Sequence, residues 1–507
     1  MRVLLDTNII IYRESNKPPK QEIGVLFRWF DKLHYEKCVH PRTIEEIRRH
    51  KDTAVVSAFE TKIANYYQLK TLAPDSDEIR KIYSGYDRNE NDKTDTDLLN
   101  EVFCDRVDFL VTEDRKIHKK AVSLCVSERV FTIDSFLEKV TAENPDLADY
   151  KVLSVKKELF GNLNLSDTFF DSFREDYKEF NQWFNRKSDE TAYVCTSENG
   201  AIIAFLYVKV EGKNESYSDI SPIFTPSKKL KIGTFKVISN GYKLGERFLK
   251  IIFDNALLFL VDDIYVTLFE RTSEQNRLIE LLCDWGFKKH GMKSTSNGKE
   301  IVLIRNFRPL PNRSNPCQSY PYLAMTSRKF IVPIYPEYHT ELFPDSILRT
   351  ESADDFIENK PNRNAISKVY ISRSIERNLA TGDIIVFYRT ASGGPGYRTS
   401  VTTTIGVVQN ITTNIQAEDK FLALCRKRSV FSDSELSKYW NYNRNRPFVV
   451  NFLYIYSFPK RMNLEALINA GIISSVTSVP RGFEQISNEQ FSKILEGSNT
   501  NGCFIVD

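Results

Sequence analysis

The chain has 507 residues, with 70 Lys+Arg against 67 Asp+Glu, a formal net charge of +3. At roughly 100–200 residues per domain, this length predicts about three domains, each able to bury its own core. Charged residues at 27% and aromatics at 12% exclude a disordered chain, and the near-neutral total excludes a polybasic protein, so any nucleic-acid contact has to come from a local patch.

In chain order, Val3-Leu4-Leu5 reads as a buried strand ending in Asp6-Thr7-Asn8. Helices are predicted at Ile23–Leu33, Thr43–His50 and Ala54–Leu69, then a polar loop at Asp87–Lys93 and an amphipathic run at Thr96–Phe103. A second apolar strand, Phe109–Thr112, leads into Glu113-Asp114, and Val130–Ile133 precedes a helix at Ser135–Val140. Strands alternating with helices predict a parallel α/β sheet, with a boundary at Asn144-Pro145-Asp146.

From about 151 to 307 the pattern changes. Strands at Ala201–Val210, Lys229–Ile238 and Asp263–Phe269 alternate with helices at Gly245–Phe259 and Glu274–Trp285, and an Asn297-Gly298 hairpin closes the unit. Pro309, Pro311, Pro316 and Pro321 then mark a linker over 309–324, or an extended arm crossing to the third unit. Beyond 325, short β-like runs at Phe330–Ile334, Ala365–Ser372, Asp383–Arg389, Thr403–Val408 and Phe448–Tyr456, with helices at Ser432–Trp440 and Leu464–Ala470, predict a small mixed barrel.

Eight cysteines without a CxxC pair predict neither a zinc knuckle nor a disulfide framework and suit a reducing compartment. No apolar run reaches the length of a membrane span, and Asp6 interrupts the apolar start that a signal peptide would need. A cytoplasmic location without membrane association is expected.

Asp6 and Asp114 each follow an apolar strand, and the carboxyl ends of strands are where open α/β sheets build their sites. Glu46 lies early in a predicted helix, and Asp95 is expected to open another. Such carboxylates repel one another unless a cation neutralises them, and oxygen-only ligands suit Mg²⁺ or Mn²⁺, which activate water and stabilise phosphodiester displacement. Asp6 or Asp114 alone reads more readily as a helix cap. The set changes that reading: Asp6-Thr7-Asn8, Thr43-Ile44-Glu45-Glu46-Ile47, Asp95-Thr96-Asp97-Leu98-Leu99 and Val111-Thr112-Glu113-Asp114 occur in order within one domain-sized segment.

Over roughly residues 1–140 these pieces resemble the PIN-domain family of metal-dependent ribonucleases. The resemblance implies endonucleolytic hydrolysis of RNA, with Asp6, Glu46, Asp95 and Asp114 as catalytic metal ligands and Asn8, Asp97 and Thr112 in support. Glu45 is the alternative to Glu46, and Asp97 to Asp95.

Residues of about 151–307 resemble the GNAT acetyltransferase family through Lys231–Ile238, the segment Asn240-Gly241-Tyr242-Lys243-Leu244-Gly245-Glu246, Asp263–Phe269, and Asn276–Leu282 with Trp285-Gly286-Phe287. The resemblance implies an acetyl-CoA pyrophosphate held by the backbone of Asn240, Gly241, Tyr242, Lys243, Leu244 and Gly245 at a helix N-terminus. The chain departs from the family's Arg/Gln-x-x-Gly-x-Gly/Ala pattern: Gly245 fits, but Asn240 and Lys243 replace the first residue and the middle glycine. Tyr242 and Glu211 are candidate catalytic groups, though such residues are more often surface or core.

In the last part, Leu379–Arg389 followed by Ile405-Gly406-Val407-Val408 resembles the PUA-like superfamily, which includes ASCH and EVE domains; the Gly-x-Lys-x-x-Glu signature of ASCH is absent. The resemblance implies RNA binding. Local composition points the same way. Lys420, Arg426, Lys427, Arg428, Lys438, Arg444 and Arg446 interleave with Tyr439, Trp440 and Tyr442, against two acids, Asp433 and Glu435; aromatic faces stack bases while cations hold phosphate. Arg389, and Arg398 beside the Gly-rich loop Ser392–Gly396, complete the candidate RNA-binding set.

The fold expected is therefore multidomain α/β: a PIN-like parallel α/β sandwich over 1–145, a GNAT-like α+β domain over 150–308, and a PUA-like small β-barrel over 325–507. The expected function is an RNA-cutting enzyme with its reader in the same chain, acting on tRNA or mRNA in a toxin-like, stress or defence role, with a homo-oligomer or an antitoxin-like partner. The rival readings are an N-acetyltransferase acting on an RNA-linked or protein amine, and a non-catalytic RNA-binding regulator.

Overall fold

A computed structural model describes residues 1–14, 21–49, 51, 53–133, 135–137, 140, 155–197, 199–238, 243–308, 311–344, 361–391, 400–442 and 447–506. The chain forms two compact units, Met1–Asp149 and Tyr150–Asp507. Among the described residues no helix is long and apolar enough to cross a membrane.

The first unit is built on five parallel strands: β1 (Arg2–Leu5), β2 (Glu36–Val39), β3 (Tyr67–Gln68), β4 (Phe109–Val111) and β5 (Val130–Phe131). Their order is β3-β2-β1-β4-β5. Val3 and Leu5 enter one apolar cluster and Leu4 another, so β1 is apolar on both faces, as a helix-covered parallel strand must be. The helices are α1 (Thr7–Glu14), α2 (Gln21–Lys32), α3 (Pro41–Arg48), α4 (Thr53–Lys62), α5 (Asp77–Tyr86), α6 (Glu90–Phe103) and α7 (Arg115–Ser123).

Two local expectations change. The helix expected over 54–69 stops at Lys62, because Tyr67 and Gln68 leave it to pair with Cys38 and Val39 as β3. Asp95 does not open its helix: Asn89 caps α6 by accepting from the Asp92 N–H, which places Asp95 in the second turn.

The second unit carries an eight-stranded sheet of β6 (Lys156–Leu159), β7 (Thr191–Thr196), β8 (Ile202–Glu211), β9 (Ile220–Ser221), β10 (Lys229–Val237), β11 (Asp263–Leu268), β12 (Lys288–Thr295) and β13 (Gly298–Asn306). The order is β6-β7-β8-β10-β11-β13-β12-β9. β10 and β11 form its parallel pair, in register from Lys229↔Asp263 to Ile232↔Val266. Beyond that point the two strands part, where β10 carries a bulge between Ile232 and Thr234. Gly233 sits in the bulge, and a Cβ there would lie 2.6 Å from the Tyr207 ring.

The remaining strands are β14 (Leu323–Ala324), β15 (Lys329–Ile334), β16 (Ser367–Ser372), β17 (Ile384–Arg389), β18 (Val401–Thr412), β19 (Phe448–Ser457), β20 (Glu484–Ile486) and β21 (Ile505–Val506). Six of them form a mixed sheet in the order β16-β19-β18-β17-β15-β20. No ladder joins its edges among the described residues; side chains bridge them instead, with Tyr370 5.6 Å from Phe483 and its hydroxyl donating to the Pro333 carbonyl.

One apolar cluster runs from Phe248 and Phe253 of the helix Leu244–Leu258 through Tyr320 and Leu323 to Ile384, Tyr388 and Leu453. The described part of the stretch expected to be a linker is packed in this shared core: the Tyr320 hydroxyl donates to the Tyr454 carbonyl, and Arg305 of β13 donates to the carbonyls of Gln318 and Tyr320. Residues 150–507 are therefore one compact unit rather than two domains on a tether.

Candidate functional site

The register of β1 on β4 pairs Leu5 with Val111, so the residues just beyond, Asp6 and Thr112, emerge side by side. The chain turns outward on both sides of this pair, β2 and β3 beyond β1 on one flank and β5 beyond β4 on the other, which makes it the topological switch point of the sheet. The Thr112 hydroxyl donates to Asp6 Oδ2 at 2.8 Å, and the Asp114 N–H donates back to Thr112 Oγ1 at 3.0 Å. Asp114 also caps α7, accepting from the Lys116 N–H. The cap reading of Asp114 therefore holds, and the same turn carries it to the switch point.

Glu46 reaches the group from α3, held by the Thr7 hydroxyl at 2.7 Å. Its neighbour Glu45 is exposed and faces Arg42 at 3.5 Å. Asp97 is engaged elsewhere, accepting from the Tyr83 hydroxyl and from Arg42 Nε. Asn8 is exposed in the first turn of α1. Of the alternatives left open by the sequence, Glu46 and Asp95 share the field of Asp6, while Glu45 and Asp97 point to other partners.

That field is strong. Burial pushes the Asp6 carboxyl up to about 6; the Thr112 hydrogen bond opposes the rise, and Asp114 and Glu46 add to it. Burial likewise pushes Asp95 up to about 7, against the opposing charge of Lys120 and with repulsion from Asp114 and Asp6. Lys120 is the residue that the sequence reading missed. It is 2% exposed, pairs with the equally buried Asp87 at 2.7 Å, and stands 3.9 Å from Asp95. Its Nζ also donates to the Asp92 carbonyl and the Thr96 hydroxyl. A signal was present: Ile117, Lys120, Ala121 and Leu124 share the i, i+3, i+4, i+7 spacing of a buried helix face, and one of them is a lysine.

An oxygen-only set carrying this much mutual repulsion fits a hard divalent cation in chemistry and charge. Among the described residues, however, no group of three His, Cys, Asp or Glu side chains is gathered closely enough to hold a metal ion. The four acids expected as metal ligands are neighbours in charge rather than an assembled coordination sphere. A cleft of about 750 Å³ lies beside Glu46, with Arg42, Arg49, Lys51, Tyr83 and Lys93 among its lining residues.

In the second unit, Asn240, Gly241 and Tyr242 lie outside the described residues. Lys243 takes the left-handed conformation (φ 56°), Leu244 is buried, and Gly245 packs on Leu281. The first turn of that helix is occupied by its own Glu246. The buried carboxylate accepts from the N–H groups of Ile366 and Ser367 at 2.9 and 3.0 Å and lies 3.3 Å from Arg428. Glu211 is also internal, accepting from the hydroxyls of Tyr217 and Tyr265.

The expected RNA-binding set divides. Arg398 and Arg444 lie outside the described residues. Arg389 is buried, and Arg428 is turned inward to the Ser367 carbonyl and Glu246. Trp440 stacks on Phe421 at 5.4 Å as part of a local core, because its helix lays that face on the sheet. Arg426 pairs with Asp433 at 3.1 Å, and Lys427 is half-buried in a left-handed turn (φ 63°). Tyr442 is exposed, with Arg373 packed over its ring at 4.4 Å.

No family model matches the sequence, and no curated protein matches it. Solved acetyltransferases align with part of the chain. A structure of the NatC complex bound to Gag peptide and CoA aligns at 14% identity, covering 30% of this chain and 99% of that one, with a TM-score of 0.21. Aminoglycoside 6′-acetyltransferase type Ii aligns at 15%, covering 31% and 100%, with a TM-score of 0.23. An N-acetyltransferase from Staphylococcus aureus Mu50 aligns at 12%, covering 30% and 97%, with a TM-score of 0.20. At these scores the likeness carries no weight for activity.

Proposed function

We propose that the first unit is a metal-dependent endoribonuclease. The observation that carries this reading is the buried Asp6 carboxylate at the switch point with Asp114 close by: burial, and then repulsion among the acids, raises Asp6 and Asp95 toward neutrality. Asp6, Glu46, Asp95 and Asp114, which as they stand form no coordination sphere, would have to draw together to hold Mg²⁺ or Mn²⁺, which when bound supplies water activation and stabilises charge on phosphate oxygens. Thr112 orients Asp6, Thr7 orients Glu46, and Lys120 holds α6 and α7 together behind Asp95. With no cation bound, the Asp95 carboxyl keeps its proton in part of the molecules at neutral pH, while Asp6 does so only below about pH 6, which limits the charge gathered at the switch point. The C-terminal sheet would select the RNA, raising its effective concentration at the cutting unit. The eight free cysteines fit a reducing, cytoplasmic setting.

The test is incubation of total RNA with Mn²⁺, comparing the wild-type chain with Asp114→Asn. Cleavage by the wild type alone is the expected result. Cleavage that survives the substitution rejects the acidic site, and RNA that is bound but never cut favours a non-catalytic regulator.

A second reading rests on the parting of β10 and β11 beyond Ile232 and Val266, immediately before the helix Leu244–Leu258. In it, residues 150–308 bind acetyl-CoA and acetylate an RNA-linked or protein amine. Glu246 in the first turn of the helix weighs against a pyrophosphate there, since like charges compete for one helix end. Titration calorimetry with acetyl-CoA decides: saturable heat supports the reading, and silence at millimolar cofactor rejects it.

A further inference from the structure

The C-terminal sheet carries a continuous aromatic strip that composition alone does not disclose. Tyr335 lies 6.3 Å from Tyr338, Tyr338 lies 4.6 Å from Phe431, and Phe431 lies 5.8 Å from Tyr439. Arg373 then stacks 4.0 Å over Tyr439 and 4.4 Å over Tyr442. The strip brings together residues from three regions of the sequence, and its two ends are open: Tyr335 is 63% and Tyr442 54% exposed.

The ends differ in charge. Glu337 and Glu435 lie near Tyr338, whereas the far end carries Arg373. The Nε and Nη2 atoms of Arg373 are buried and have no hydrogen-bond partner among the described residues. A guanidinium held flat between two tyrosines polarises both rings and leaves the outer face of Tyr442 as a platform with positive charge beneath it.

We propose that this end of the strip is a stacking platform for the unpaired bases of single-stranded RNA, with a base on the outer face of Tyr442 above the positive charge of Arg373. The proposal rests on the reading of RNA as the substrate. It transfers the stacking role expected of Trp440, which the fold uses internally, to Tyr442 and Arg373. Flat π-faces with adjacent cations are what single-stranded nucleic acid recognises without regard to sequence.

The test uses the full chain carrying Asp114→Asn, so that the probe is not cut, and a fluorescein-labelled oligouridine of about twelve nucleotides read by anisotropy. Tyr442→Ala should weaken binding about tenfold, while Tyr442→Trp retains it. The slope of log Kd against log salt should be unchanged by Tyr442→Ala, because no phosphate contact is lost, and Arg373→Gln, which removes the charge beneath the ring, should weaken binding with the slope likewise unchanged. An unchanged affinity in Tyr442→Ala overturns the platform while leaving RNA recognition standing, and marks the strip as a surface for another protein. Absence of binding by the parent chain overturns the RNA reading and this proposal together.

Discussion

Replacing Asp6 with Asn should stabilise the first unit while abolishing its proposed chemistry. The Asp6 carboxyl titrates at about 6 in the folded chain against an ordinary value of 3.8, chiefly because it is buried. Folding therefore costs nothing at Asp6 below about pH 4, where the carboxyl is protonated in both states. As pH rises toward 6 the unfolded chain releases this proton first, and the folded state becomes progressively less favoured. Above pH 6 the loss is complete, and the gap between 3.8 and about 6 corresponds to at most roughly 3 kcal/mol. Asparagine retains an acceptor for the Thr112 hydroxyl and carries no charge. Hydrogen–deuterium exchange in peptides covering β1 and β4, corrected for intrinsic rates, should show added protection in Asp6→Asn at pH 7 and almost none at pH 4. Mn²⁺ should narrow the difference at pH 7 by neutralising the wild-type carboxylate. Loss of protection in the variant at pH 7, or an equal gain at both pH values, would refute the claim that buried negative charge is the strained element of this site.

Substitutions at two further positions probe buried ionic contacts. Lys120→Met leaves Asp87 buried without its cation and should cost about 3–5 kcal/mol, seen as faster exchange in α6 and α7; the Asp95 carboxyl should move further up, because Lys120 is the charge that opposes its rise. Unchanged exchange in those helices would mean that the pair holds nothing. Glu246→Ala strips the acceptor from the N–H groups of Ile366 and Ser367 and should cost about 2–5 kcal/mol in urea denaturation of the second unit, while Glu246→Gln, which keeps an acceptor, should cost less. RNA cleavage at a temperature where the variant is folded should be unaffected; impaired cleavage would show that this contact serves the reaction.

Local chemistry made the first unit readable. Val3-Leu4-Leu5 and Phe109-Leu110-Val111 are apolar on both faces and so announce parallel strands, and acids placed directly after such strands are carried to the sheet's carboxyl edge by the chain itself. Helix starts were less legible. Asp95 was expected to open α6, yet Asn89 and the acids behind it start the helix earlier, since several residues there are competent caps. In the C-terminal sheet, Trp440, Arg389 and Arg428 resembled ligand-binding side chains because basic and aromatic residues crowd the sequence, but a helix face, a strand and a turn direct them inward.

The sequence by itself thus determined the apolar strands β1 and β4, the acids after them, and the basic, aromatic character of the last part, because each depends on residues within a few positions of one another. Only the tertiary structure decided that Lys120 and Asp87 form a buried pair behind Asp95, that Glu246 rather than an open helix end meets β16, and that Arg373 joins Tyr439 and Tyr442. Those contacts join residues from separate helices, strands and loops, and burial rather than spacing sets their charge and accessibility. A side chain's chemistry is written in the sequence; which neighbour desolvates it is settled by packing.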